Sequence, residues 1–123
     1  MSIQTIERTT LSNLVWNEPY ARKVLPFIKP EYFSDPSERV VFEEISKFIE
    51  KYGNQPTKES LSIELDNRKD LSSEQFKKVL DIVETLSDAQ VDMQWLVDTT
   101  EKFCKDKAVY NAILSGIQII EGK

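Results

Sequence analysis

The segment GIQIIEGK, Gly116 to Lys123, carries the residue types of a phosphate-binding loop. Such a loop reads G-x-x-x-x-G-K-[ST]: four residues between the glycines, a lysine for the phosphates and a hydroxyl for magnesium. Here five residues separate Gly116 from Gly122, and no Ser or Thr follows Lys123. The loop also needs a strand before it, whereas the residues before Gly116 have helical spacing. The segment reads as the end of a long helix, with Gly122 just past it.

The other reactive side chains do not assemble into a site. The chain has no histidine, which removes Ser-His-Asp and Cys-His systems and every His-containing zinc site. Cys104 is the single cysteine. It can form no internal disulfide, fits a reducing compartment, and reads as a small apolar residue inside a helix. Glu43 and Glu44 are adjacent, so a helix is expected to splay them apart. Asp88 and Asp92 are four apart, with a helix boundary expected between them. Glu101 and Lys105 have the spacing of an ordinary helix pair. No catalytic residue, metal ligand or cofactor site is assigned, and the chain by itself is expected not to be an enzyme. Trp16 and Trp95 are read as core anchors rather than ligand platforms.

Composition narrows the class. The chain has 123 residues, 40% apolar and 30% charged, which suits one globular domain with its own core. Its 21 acidic and 16 basic residues give a net charge of −5. A domain held on nucleic acid mainly through phosphates is expected to be basic. The pairs Arg22-Lys23, Arg68-Lys69 and Lys77-Lys78 sit among acids and read as solvated faces. No stretch has the length of a membrane span, and MSIQTIERTT lacks the order of a signal peptide, so an intracellular protein is expected.

The elements that must position these residues are helices. Only three glycines occur, too few for many hairpins, and apolar residues recur at helical spacing. Ser2 can cap a first helix carrying Ile3, Ile6, Leu11, Leu14 and Val15. Asn17 can cap a second, with Pro19 in its first turn. Pro26 ends or kinks that helix, and Pro30 makes Lys29 extended. Ser34 or Asp35 caps a third, which carries Val41, Ile45, Phe48, Ile49 and Tyr52 and stops at Gly53. Thr57 caps a short helix with Leu61 and Leu65 inward; Arg68 to Asp70 is a polar loop. Ser72 and Gln75 form a capping box before Phe76, Val79, Leu80, Val83 and Leu86.

The last helix starts near Asp92 and runs to about Ile120, roughly 40 Å at 1.5 Å per residue. Leu96, Phe103, Tyr110 and Ile117 recur along it every seven residues, a stripe suited to packing on another helix. Its far half adds Val109, Ala112, Ile113, Leu114, Ile119 and Ile120. That half is apolar on several faces and is expected to need cover from a partner or from further chain. The fold class is all-α, a compact bundle of about six helices with one long C-terminal helix.

Three stretches carry a resemblance: LSNLVWNEPYARKVLPFIKPEYFSDPSERVVFEEISKF, QPTKESLSIEL and WLVDTTEKFCKDKAVYNAI. In order and spacing they resemble the N-terminal domain of DnaB-type replicative helicases, most of all the T-even phage primase-helicases. The likeness runs from about Leu11 to Ile120. It implies that residues 1–123 are one helical collar domain, with the ATPase domain downstream and absent from this chain. ATP and magnesium would then belong to that missing domain, which would also make the main DNA contacts. The long helix would be the first half of the family's helical hairpin, its return helix having no counterpart here. Phe103, Tyr110, Leu114 and Ile117 map to hairpin or dimer packing. The implied partners are copies of the same chain in a hexameric ring, primase and helicase loader, in the cytoplasm of a bacterial host. Two other readings stay open: a DNA-binding helix-turn-helix made by the helices after Thr57 and Ser72, and a small standalone adaptor.

Overall fold

The computed structural model describes residues 5–88 and 90–122, with backbone only at 118–122. Six α-helices follow one another: α1 (Ile6–Trp16), α2 (Glu18–Val24), α3 (Pro36–Tyr52), α4 (Lys58–Asp66), α5 (Ser73–Thr85) and α6 (Met93–Gly122). Two single 3₁₀ turns, Leu25–Phe27 and Pro30–Tyr32, join α2 to α3. Among the described residues there is no strand.

Local chemistry sets most of the boundaries. Asn17 closes α1 and opens α2, its side-chain oxygen accepting the Tyr20 N–H. Pro26 cannot donate inside a helix, so α2 ends at Val24 and the chain tightens into a 3₁₀ turn. Lys29, before Pro30, is extended at φ −119° and ψ 147°. Asp35, not Ser34, caps α3 through the Ser37 N–H. Gly53 ends α3 at φ 69°, a left-handed conformation that costs glycine little. Capping boxes at Thr57–Ser60 and Ser72–Gln75 open α4 and α5. At the first helix the cap is Thr5, whose hydroxyl accepts the Arg8 N–H; the expected Ser2 cap and Ile3 lie outside the described residues. Asp92 starts α6 by accepting the Trp95 N–H at 2.8 Å. The backbone stays helical through Gly122, so that glycine lies inside the helix rather than past it.

α3 is the central element. It packs on α1, α4 and α5, while α6 lies across α1, α2 and the Pro30–Tyr32 turn. Leu11, Leu14, Tyr20, Val24, Phe33, Val41, Ile45, Leu61, Leu65, Val83, Leu86 and Leu96 are fully buried. Phe33 joins the two halves. Its ring stacks on Phe42 at 5.1 Å and meets Phe103 edge-on at 6.1 Å.

The tryptophans are not core anchors. Trp16 is 47% exposed and Trp95 52%. Trp16 ends α1 and ties only its indole N–H, at 3.4 Å, to the Leu86 carbonyl. Trp95 stands in the first turn of α6 beside Leu96, which takes the inward position. Tyr20, Phe33 and Phe42 fill the aromatic positions of the core instead.

Candidate interaction surface on the last helix

The charged groups singled out by spacing form structural ties. Glu43 and Glu44 do not splay apart: Arg68 approaches both, at 3.3 and 3.6 Å, and binds Asp70 at 2.6 Å. Arg68 is therefore a partly buried clamp between α3 and the α4–α5 connection, not part of a solvated face. Hydrogen bonding to Arg68 holds the Asp70 carboxyl down to about 2. Glu44 is buried, and its Oε1 makes no aligned hydrogen bond. Arg68 and Lys47, at 3.6 and 3.4 Å, neutralise it through charge alone. Among the described residues no ion pair joins Glu101 to Lys105; Lys102 binds Asp106 at 2.8 Å instead. Cys104 is buried, and desolvation pushes its thiol up to about 11. A thiol so far from ionising is a poor nucleophile. No group of three or more His, Cys, Asp or Glu among the described residues could hold a metal ion. No described helix is long and apolar enough to cross a membrane.

α6 offers a different feature. Its first half is inside the fold, with Leu96 and Thr100 fully buried and Tyr20 bonded to the Thr100 hydroxyl at 2.6 Å. The last ties to the globule are polar. Lys107 donates to Ser34 Oγ at 2.8 Å, and Asn111 donates to the Glu31 carbonyl at 3.4 Å. Beyond Asn111 the helix continues to Gly122, roughly 16 Å further at 1.5 Å per residue.

From Val109 to Ile117 the helix is largely apolar and uncovered. Val109 is 60% exposed, Tyr110 56%, Ile113 57%, Leu114 40% and Ile117 44%. Positions 110, 113, 114 and 117 follow the i, i+3, i+4, i+7 rule and share one face. A Cβ added at Gly116 would meet nothing within 4 Å, as expected of a helix standing clear of the globule.

The four residues mapped to packing do not stand together. Phe103 is 8% exposed and belongs to the core, against Phe33. Tyr110, Leu114 and Ile117 stand in solvent. A seven-residue repeat drifts by about 20° per heptad on a straight helix. From Phe103 to Tyr110 that turn is too small to expose the stripe, which loses its cover because the helix runs out past the globule after its ties at Lys107 and Asn111. Ile113 lies between Tyr110 and Ile117 on the exposed face and was not among the four. Its signal is the three-residue step from Tyr110, which a seven-residue count passes over. Ile119 and Ile120 have side chains outside the described residues.

Residues 2–102 match the family model described as DnaB-like helicase N terminal domain. The chain belongs to that family. Over 109 residues this DnaB-like N-terminal domain is 30% identical to the DnaB-like replicative helicase of Enterobacteria phage T4. The alignment covers 89% of this chain and 23% of the phage protein, so the chain spans about a quarter of that relative's length. The family match takes in the globule and the first third of α6, and the exposed apolar face follows it.

Proposed function

We propose that this DnaB-like domain is the non-catalytic interaction and oligomerisation part of a phage replicative helicase. In this reading the projecting half of α6 packs on a helix of a second subunit and helps arrange the domains as the collar of a six-membered ring. Primase or a helicase loader is the further protein partner, and the setting is the cytoplasm of a bacterial host. ATP hydrolysis with magnesium, and most DNA contact, belong to a motor domain of the parent protein.

One observation carries the reading: five large apolar side chains, Val109, Tyr110, Ile113, Leu114 and Ile117, lie 40–60% exposed on one projecting helix. Fully burying a side chain of this size contributes about 1.5–3 kcal/mol, and burying the 40–60% that is exposed here contributes roughly half of that. Four or five of them on each of two copies can offset the cost of association.

A single-cysteine scan with a short bis-maleimide tests it. Cys104 is buried and serves as the silent background. Cysteine at 110, 113, 114 and 117 is expected to cross-link two chains, and cysteine at 112 and 115 is not. Equal yields at all six positions, or none at any, would overturn the assignment of this face.

A further inference from the structure

The buried carboxylate of Glu44 has acceptor capacity that the fold does not use. Its side chain is 2% exposed, and its Oε1 makes no aligned hydrogen bond. Arg68 and Lys47 supply charge, but a buried carboxylate is held best by N–H groups aimed at its oxygens. The two cations differ. Arg68 is 18% exposed and is also engaged by Glu43 and Asp70. Lys47 is 67% exposed, so its ammonium, 3.4 Å from Oε1, is the solvent-side neighbour of that oxygen.

Glu44 lines a groove of about 300 Å³ with Lys47, Phe48, Lys51, Tyr52 and Glu64. Positions 44, 47, 48 and 51 follow the i, i+3, i+4, i+7 rule and share one face of α3, while Glu64 comes from α4. The Phe48 and Tyr52 rings are 4.7 Å apart, and Tyr52 is 51% exposed. The Lys51 ammonium lies 5.3 Å from the centre of the Tyr52 ring. The groove thus has a carboxylate at its most buried point, an exposed aromatic ring, and two exposed ammonium groups on flexible stems that can turn to a ligand.

A carboxylate takes two adjacent N–H donors, the ring takes a flat π-face, and the ammonium groups take an anion. Guanine carries two adjacent donors on one edge, N1–H and the exocyclic N2–H. Adenine and cytosine set a bare ring nitrogen beside their amino group, and uracil sets a carbonyl on each side of its single N–H. Each of these offers the carboxylate a repelling lone pair next to the donor. Lys51 lies two turns beyond Glu44, roughly 10 Å along the axis, which suits the span from the edge of a purine to its 5′-phosphate. Stacking of a base on an exposed ring outweighs the exposed cation–π contact of Lys51 that it would displace.

We infer that this groove is a binding site for a free guanine mononucleotide, with Glu44 on the base edge, Tyr52 against the base, and Lys47 and Lys51 on the phosphate. Its volume is at the low end of ligand sites, about 300–1,000 Å³, which seats the base and leaves the phosphate at the mouth. None of its residues belongs to α6, so the site is separate from the exposed apolar face.

Equilibrium dialysis with radiolabelled 5′-GMP tests it, with 5′-AMP as the matched comparison. Saturable binding of GMP is expected, about tenfold or more tighter than AMP. Glu44→Gln is expected to weaken GMP about tenfold and to remove or reverse the preference over AMP, because a carboxamide pairs with adenine; a merely structural role would lower both alike. Lys51→Gln is expected to weaken GMP about two- to fivefold and to leave guanosine, which has no phosphate, unchanged. Tyr52→Ala, at an exposed position that the fold tolerates, is expected to weaken GMP and guanosine together and keeps the test open if Glu44→Gln fails to fold. A thymine-rich single strand with one guanine is expected to bind no more tightly than GMP, because the net charge of −5 opposes a run of phosphates. Absence of saturable binding, equal affinity for GMP and AMP, or GMP binding untouched by Tyr52→Ala overturns the inference. So does tighter binding of the strand, which would make nucleic acid the occupant.

Discussion

Replacing Phe103 by alanine separates a core role from an interface role for the seven-residue stripe of α6. The ring is 8% exposed and meets Phe33 edge-on at 6.1 Å, and Phe33 in turn stacks on Phe42 at 5.1 Å. Truncating a buried phenylalanine costs about 3–5 kcal/mol, of which the aromatic contact accounts for about 0.5–1.5. A domain of this size has a total stability of about 5–15 kcal/mol, so the loss is a large share of it. At roughly 3–5 °C per kcal/mol, Phe103→Ala is expected to lower Tm by about 10–20 °C. Leu114→Ala, one turn beyond the last polar tie, is expected to move Tm by less than about 3 °C, as exposed truncations change stability by about 0.5 kcal/mol or less. Circular-dichroism melts at high dilution measure both without a contribution from association. A Phe103→Ala variant that melts within about 3 °C of wild type would refute the core assignment and return Phe103 to the interface.

Arg68→Met leaves buried Glu44 with only exposed Lys47 for a counter-charge, and a loss of about 2–4 kcal/mol is expected in urea unfolding; a change below about 0.5 kcal/mol would contradict it. The same variant tests a pH dependence. Asp70 is depressed from 3.8 to about 2, so wild type keeps this contribution above pH 3.8 and loses it as pH falls toward 2, whereas Arg68→Met is expected to lack that step. Glu38 has the opposite sign. Desolvation raises its carboxyl above 4.5 despite the hydrogen bond and attraction from Arg8, so the protonated form is favoured by folding and that stabilisation is lost as pH rises. Glu38→Gln is expected to hold or raise Tm at pH 7, with the difference shrinking in acid; a clear drop at pH 7 would contradict this. Gly53→Ala is expected to cost about 1–2 kcal/mol, from the left-handed backbone alone because a Cβ there meets nothing within 4 Å; Gly53→Asn is expected to cost less.

Helix boundaries were legible because they are local. Asn17, Asp35, Thr57 and Ser72 each satisfy backbone donors within three residues, and a sequence read residue by residue contains that. Leu61 and Leu65, or Val79 and Val83, face inward because helical spacing leaves them one face. Three features depended on long-range packing instead. Phe33 sits in an irregular connection, where no period marks it, yet it is the ring between Phe42 and Phe103. Arg68 looks like a loop cation until α3 brings Glu43 and Glu44 beside it. Trp16 and Trp95 have the size of core residues, but each stands at a helix end where the globule stops. The site shows the same division. Spacing identified the apolar stripe of α6 and its shortage of cover. It did not say where the helix leaves the globule, and that point decides that Phe103 is core while Tyr110, Leu114 and Ile117 are surface.

The most direct test of the interface is the mass of the chain in solution, by light scattering across a dilution series, for wild type and Leu114→Asp. Leu114 is 40% exposed in the single chain, so aspartate there leaves the fold intact. In a shared apolar contact the same carboxylate would have to be desolvated, at a cost of several kcal/mol. Wild type is expected to exceed the 14.3 kDa of one chain, with the excess falling on dilution, and Leu114→Asp is expected to stay at 14.3 kDa with unchanged helicity. Equal masses for the two proteins at every concentration would contradict the account.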